Sequence, residues 1–527
     1  MTHDNSTHST SSRSRIEEDR QREEDRAGSP GAGAVMRVII PLQGVVQGRG
    51  GVVLGSVIPC ALFYFLQLYL KRHRSERAPR DEVPPPPRRP SSSHPKPVLV
   101  SSRALHVIED ENSPYYMGWK AYKQNPYDAE NNPSGVIQMG LAENQLSLDL
   151  IEGWLKSHPE VSSWEGISDT PLSLRGISGY QDHHGMPILR SVMADFMHEV
   201  MKVPFNPDQI VLTAGATPAI EMLGFCLAEP GNAFLVPSPY YPSFTRDLKW
   251  RAGVELVPVP CRSSDNFNVT INALDRAFSQ TKKRRLTVRA LLISNPSNPV
   301  GTTLDSATLS MLLGFATEKN IHLICDEIYA GSVYDSPNFI SIAKVLDSGE
   351  FDKSRVHIIY GTSKDLCLPG FRVGVIYSYN DKVLKAARKM SRFCAVSSQT
   401  QHLLIAMLSD TQFIQQYMTE NQRRLGKMSH VLTEGLKEAG IKYVKSNAGL
   451  YCWVEMGNLM PSYSEKGEIN LWDKLLNETK INVTPGSACH CIEPGWFRIC
   501  FSTLSCQDMT VALQRIREFS KHCKRSS

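Results

Sequence analysis

Five short apolar runs, at 209–213, 233–237, 288–294, 321–326 and 356–360, each stop at a polar or Gly/Pro-rich turn, with amphipathic stretches between them. Runs of this length, bounded by turn residues and spaced by helix-length segments, are the sequence form of strands buried on both faces of a sheet. Strand alternating with helix demands crossover connections, so the pattern, which starts at about Leu105, predicts an α/β fold with a mainly parallel sheet. Ligands of such sheets gather beyond the carboxyl ends of the strands, so the residues just after each run are where chemistry should be sought.

Those residues form a coherent set. Asn295-Pro296-Ser297-Asn298-Pro299-Val300-Gly301 follows the third run and Cys325-Asp326-Glu327-Ile328-Tyr329 closes the fourth. Gly361-Thr362-Ser363-Lys364 follows the fifth and leads to Pro369-Gly370-Phe371-Arg372. A lysine must be neutral to attack a carbonyl or lift a proton from carbon, and a strand end among other cations lowers its pKa for that task. Lys364 occupies such a position. Ala216 and Thr217 open a helix after the first run, where free backbone N–H groups and the helix dipole suit a phosphate. Ser363 and Arg372 would add a hydroxyl and a cation to that anion site.

Six stretches in order carry a family likeness: GWKAYKQNPYD, QMGLAENQLSLDLI, FLVPSPYYPSFTRDLKWR, SNPSNPVGT, SKDLCLPGFRVG and EPGWFRICF. From about Tyr115 to Phe501 the chain resembles the fold-type I pyridoxal-phosphate enzymes. Within them it resembles the class I aminotransferase group that includes plant 1-aminocyclopropane-1-carboxylate (ACC) synthase. The resemblance implies an aspartate-aminotransferase-like fold with a large cofactor-binding domain at 160–389. A smaller α+β domain would combine 105–159 with 390–527. Pyridoxal 5′-phosphate would be the cofactor, carried by Lys364 as an internal aldimine, with Asp326 facing the pyridine nitrogen so that the ring can accept electrons. Asn298 and Tyr329 would bind the ring hydroxylate, and Ala216, Thr217, Ser363 and Arg372 the phosphate. Tyr241 would stack on the ring, with Tyr240 as the alternative. Arg498 would be the fork for the substrate α-carboxylate, Glu143 would lie in the substrate site, and the enzyme would be a homodimer with shared active sites.

Three departures fall at the site itself. Gln181-Asp182-His183-His184-Gly185 has His183 where the family places a tyrosine expected to reach the partner subunit's cofactor. Gly361 stands where the family has a serine, removing one phosphate hydroxyl, and Pro218 and Ile220 interrupt the Gly-Ala-Thr stretch. These changes are similar to those of the divergent, membrane-anchored ACC-synthase-like branch of plants read as aminotransferases. Transfer of an amino group between an amino acid and a 2-oxo acid is therefore the leading expectation. ACC formation from S-adenosylmethionine is the alternative, and a non-catalytic regulatory homologue is the third. The intact set of Lys364, Asp326, Asn298, Tyr329 and Arg498 argues against the last, because a binding protein needs no electron sink.

The first hundred residues are organised differently. The tail at 1–50 is rich in Ser, Thr, His and mixed charge, a composition that favours disorder. The segment 51–70 contains the uncharged run 52–70, long enough for a membrane helix. Lys71, Arg72, Arg74, Arg77 and Arg80 follow it, against Arg37 and Arg49 before it, which places the catalytic part on the cytosolic side of a single-pass anchor. A basic, Pro-rich linker at 71–104 completes the extension. A net charge of +5 on 527 residues gives no argument for nucleic acid as a partner. The 12 scattered cysteines suit reduced thiols, and Cys489-His490-Cys491 is too tightly spaced for a chelating loop, so no metal is expected.

Overall fold

The computed structural model describes residues 58–72, 100–109, 113–163 and 172–526. Its contacts divide the chain into two units, Met1–Val98 and Leu99–Ser527. In the first unit the apolar run is helical over Ile58–Arg72, 15 residues. At about 1.5 Å per residue this helix is roughly 22 Å long, short of the ~30 Å hydrocarbon layer. No helix among the described residues is long and apolar enough to cross a membrane. The expected spanning helix at 51–70 is unsupported: the described helix covers Ile58–Arg72 and ends on the charged Lys71 and Arg72. Residues 51–57, the tail at 1–50 and residues 73–99 of the linker lie outside the described residues.

The second unit is built around a seven-stranded sheet. We number its strands β1 (Ile210–Thr213), β2 (Ala233–Ser238), β3 (Glu255–Pro260), β4 (Val288–Ser294), β5 (His322–Asp326), β6 (Val356–Gly361) and β7 (Gly374–Ser378). Their spatial order is β1-β7-β6-β5-β4-β2-β3, parallel throughout except β7, which runs antiparallel to both neighbours. Residues alternate between the faces, as the two-residue period of a strand requires. Leu291, Ile293, Leu323, Cys325, Ile358 and Tyr360 join the core on one face. Ala290, Leu292, Ile324 and Ile359 join the core on the other. Two strands carry no clear sequence signal. β3 contains Pro258 and Pro260 and is tolerated because it is an edge strand paired only with β2. β7 follows the Pro369–Phe371 turn too closely for a helical crossover, and so it returns antiparallel.

A second, antiparallel sheet orders Thr484–Pro485, Trp496–Cys500, Tyr451–Glu455 and Lys442–Tyr443. It packs with the 29-residue helix Thr411–Ala439 around a separate apolar core that includes Leu425, Leu432, Phe497, Ile499 and Leu513. Ile137–Gln138 pairs in parallel with Ile481–Asn482. The same N-terminal segment is pinned by Cys500 N–H to Met139 O at 2.8 Å and Gln145 N–H to Ser502 O at 2.9 Å. Residues 139–145 thereby lie beside the strand that carries Arg498.

Candidate active site

The carboxyl ends of β4, β5 and β6 lie side by side near the middle of the sheet and open on a cavity of about 130 Å³. Asp326 is the last residue of β5, and its Oδ1 accepts from Ile328 N–H at 3.3 Å. Lys364 sits in the single helical turn Thr362–Asp365 that continues β6. That turn is fixed by Asp365, whose buried carboxylate accepts from Gly331 N–H at 2.8 Å, Ser332 Oγ at 2.6 Å and Tyr360 OH at 2.8 Å. The lysine is thus tied to the loop that carries Tyr329. Asn298, Asp326, Tyr329, Ser363 and Lys364 all line the cavity.

Ala216, Thr217, Tyr241 and Arg372 complete the lining expected from the sequence. Ala216 is the first residue of helix Ala216–Leu227, reached through Gly215 at φ 101°, a left-handed conformation that glycine adopts without strain. A Cβ on Gly215 would also lie 2.3 Å from the Arg372 guanidinium, so glycine is needed twice. Arg372 donates to Ala214 O at 3.2 Å and Pro369 O at 2.8 Å and pairs with no carboxylate among the described residues. Pro218 falls in the first turn of this helix, where no N–H partner is needed, so it does not interrupt the helix. Ile220 joins the lining. Gly361 is extended, and a Cβ there would lie 2.6 Å from Val373 O, so β6 and β7 are packed too closely in this chain for the family's serine.

Tyr241 and Tyr240 separate cleanly. Tyr241 lines the cavity, whereas Tyr240 stacks on His490 with ring centroids 4.4 Å apart.

Behind Asn298 an outer wall comes from the second sheet, whose residues do not line the cavity itself. Arg498 is 0% exposed and donates to Asn298 Oδ1 at 3.0 Å, Gly140 O at 2.7 Å and Thr484 Oγ1 at 3.3 Å. All three partners are neutral. No carboxylate pairs with it among the described residues, an arrangement that leaves a buried cation in want of an anion. Asn298, having used its oxygen on Arg498, has its amide N–H groups left to donate. Glu143 is half-buried and acts electrostatically on Lys364, whose Nζ donates to Ala142 O. His183 is exposed in a turn and does not line the cavity of its own chain. Sequence reasoning missed Tyr115, whose ring lies 5.8 Å from the Arg498 guanidinium, and Asp247, Phe244 and Pro369 in the cavity wall. Asp247 lies inside one of the family-like stretches, which is the signal that could have found it.

The electrostatics suit nucleophilic and proton-transfer chemistry. Burial, with the Arg498 charge second, lowers the Lys364 ammonium to about 8, against the opposing pull of Cys500, Glu143 and Asp326. Burial raises the Asp326 carboxyl to about 7, opposed by Ile328 N–H and Lys364. Burial also pushes the Tyr329 phenol upward, which keeps it a hydrogen-bond donor.

The set fits pyridoxal phosphate: a helix N-terminus with Arg372 for the phosphate, Asp326 for the ring nitrogen and an amine for the aldehyde. Fold and cavity together define a pyridoxal-phosphate enzyme of the aminotransferase fold. The chain belongs to the aminotransferase class I and II family, whose model matches residues 136–516. It is similar to 1-aminocyclopropane-1-carboxylate synthase 6 of Oryza sativa subsp. japonica, 54% identical over 508 residues, 93% of this chain and 94% of that one. It is also similar to the Arabidopsis thaliana protein named "Probable aminotransferase ACS12", 51% identical over 492 residues, 92% of this chain and 99% of that one. The aspartate aminotransferase from Thermus thermophilus with maleate superposes with a TM-score of 0.63 at 19% identity, covering 80% of this chain and 100% of that one. The last likeness shows the fold.

Proposed function

We propose that this chain transfers an amino group between an amino acid and a 2-oxo acid. The observation that carries the reading is Arg498, a buried guanidinium with neutral partners only, bonded to the cavity residue Asn298 and near enough to help lower the Lys364 ammonium. Amino acid and 2-oxo acid share an α-carboxylate, and a planar fork binds either one in the same pose. Pyridoxal phosphate, when bound, supplies an electron sink for the charge left as a bond to Cα breaks. The chain's own groups do the rest. Arg498 orients the substrate so that its α-hydrogen is presented to Lys364. Lys364 Nζ, lowered to about 8 and so substantially neutral near that pH, takes the α-proton and delivers it to a different carbon, as loss of the α-hydrogen from the 2-oxo acid product requires. The Tyr329 phenol and the Asn298 amide donate hydrogen bonds, while Asp326 holds negative charge at the floor of the cavity.

Beyond Tyr241 a second cavity of about 320 Å³, walled by Tyr115, Tyr116, Trp119 and Leu141, leaves room for a substrate side chain with apolar surface. ACC formation is the second reading, favoured by Glu143, whose carboxylate lies close enough to influence Lys364 and could attract a sulfonium. The likeness to a protein named ACC synthase supports it too. His183 weighs against it, because an imidazole is shorter than the tyrosine expected at that position and places its donor elsewhere.

The two-domain division expected from sequence belongs to the same proposal, supported by the two separate sheets. So does a homodimer with shared sites, since His183 is exposed and free to reach another chain. Cytosolic placement behind an anchor at 52–70 is a further part, supported by the basic residues after it. The deciding experiment is product analysis of the purified protein with S-adenosylmethionine and, separately, with amino acids plus 2-oxo acids. Amino transfer with little ACC is expected. Efficient ACC production with no oxo-acid-dependent transfer reverses the ranking.

A further inference from the structure

The cofactor cavity holds a second carboxyl group that the proposed reaction does not use. Asp247 lies on the short helix Phe244–Lys249 and lines the cavity together with Thr217 and Asp326. Its carboxyl group shares a hydrogen bond with the Thr217 side chain. Its Oδ2 is buried and has no hydrogen-bond partner. A buried carboxylate oxygen without a donor is costly, and the cost disappears if that oxygen carries a proton or meets a bound group.

The groups around Asp247 are mostly of its own sign. Asp326 faces it from β5, and Glu221 from the helix that begins at Ala216, although Glu221 is itself paired to Arg251 at 3.1 Å. Arg246, on its own helix, is the nearest opposing charge, and its guanidinium lies 3.6 Å from the Tyr116 ring centroid. Lys364 and Arg372 line the same cavity, Lys364 acting on Asp326. The Tyr241 phenol, pushed up by burial, is also raised by Asp247.

We propose that Asp247 is a positioning residue of the cofactor site, which keeps a proton so that Asp326 is the carboxylate of the pair and Thr217 stays available to the phosphate. Two carboxylates in one water-poor cavity do not both ionise without mutual cost. Burial first, and then the charge of Asp326, raises Asp247 to about 7, and burial raises Asp326 equally. Asp326 accepts from Ile328 N–H and feels the Lys364 charge, whereas Asp247 Oδ2 has no donor, so the proton settles on Asp247. An ionised Asp247 would compete for the Thr217 hydroxyl and repel the phosphate dianion. Phosphate binding above pH 7 therefore draws a proton onto Asp247.

This inference rests on the reading of the cavity as the cofactor site, and the test separates the two. The probe is pyridoxine 5′-phosphate, which has no aldehyde and leaves Lys364 free. Its dissociation constant for the cofactor-free protein is measured by fluorescence from pH 6.5 to 8.5, for the parent and for Asp247→Asn. The phosphate's own ionisation is common to both proteins and cancels in the ratio. With one proton linked, the parent's affinity is expected to fall by about tenfold per pH unit relative to the variant at the alkaline end. At pH 6.5 the two agree within about threefold, because asparagine stands in for the neutral acid. An unchanged ratio across the range overturns the inference. So does a tenfold or greater loss at pH 6.5 in a folded variant, which would mean that the ionised form is required. Should Asp247→Asn not fold, binding heats of the unmodified protein at pH 8 in two buffers of different ionisation enthalpy decide: net proton uptake supports the inference, and none overturns it. A parent that binds pyridoxine 5′-phosphate at no pH overturns the cofactor assignment instead.

Discussion

The strand-end wall of the cavity and the outer wall behind Asn298 are put together in different ways. Asp326, Asn298, Ser363 and Lys364 lie within four residues of the ends of β4, β5 and β6, so the sheet's backbone ladder fixes them. The outer wall joins residues far apart in the chain: Arg498 reaches Gly140 across 358 positions and Thr484 reaches Gly140 across 344. The chemistry thus stands on the stiffest part of the molecule. Recognition of the carboxylate depends on long-range pairing between the N-terminal segment and the second sheet. The comparison predicts that substitutions on the strand-end wall abolish turnover while those on the outer wall weaken substrate binding.

The largest effect belongs to Lys364→Ala, which removes both the cofactor's attachment point and the proton carrier. Turnover is expected to fall by about 10⁴-fold or more, while the phosphate cradle of Ala216, Thr217, Ser363 and Arg372 still binds pyridoxine 5′-phosphate. Full activity in this variant would remove the lysine from the mechanism. Asp326→Ala comes next, with an expected loss of about 10²- to 10³-fold in kcat, because the ring nitrogen loses its counter-charge. Steady-state kinetics with saturating cofactor measure it, and a parent-like kcat would show that the ring is held elsewhere.

Arg498→Lys tests the other wall. It keeps the charge but loses the planar fork, and a charged hydrogen bond is worth about 1.5–3 kcal/mol, so KM should rise by roughly 10- to 100-fold. Cofactor affinity should stay at the parent value. If it fell as steeply as KM rose, the two walls would form one unit and the comparison would fail.

A smaller effect concerns pH. Burial lowers Lys364 from the ordinary lysine range to about 8, so its amine is mostly charged below that pH and mostly neutral above it. The rate at which cofactor-free protein combines with pyridoxal phosphate should therefore climb through pH 8 and level off, monitored by visible absorbance. A rate still rising steeply near pH 10 would mean that Lys364 is not depressed. The smallest effect is expected from removing the extension: a chain starting at Leu105 should keep the parent's kinetics and remain soluble. Fractionation of the full-length protein into membrane and soluble pools tests the anchor, and a wholly soluble full-length protein refutes it.

How much of this could be read in advance follows from the same contrast. Five of the six parallel strands of the sheet were legible because strands buried on both faces write themselves as uninterrupted apolar runs. The cofactor-side residues were legible because each follows its strand by a fixed short turn. β3 and β7 escaped, one for its prolines and the other for its reversed direction. The 52–70 run reads as a full membrane span from composition alone, whereas the described helix, Ile58–Arg72, covers only part of that run, and residues 51–57 lie outside the described residues.

The sequence by itself determined the fold class and pointed to Lys364 and Asp326 as neighbours in one cavity, since strand periodicity and strand-end turns are local properties of the chain. Only the tertiary structure showed that Tyr241 lines the cavity while Tyr240 stacks on His490, because neighbouring residues of an irregular segment point in different directions according to what packs on them. It alone also showed that Arg498 has only neutral partners and that Asp247 shares the cavity with Asp326. Both facts arise from contacts between segments distant in sequence, and the free energy of a buried charge is set by those contacts rather than by the residues next to it in the chain.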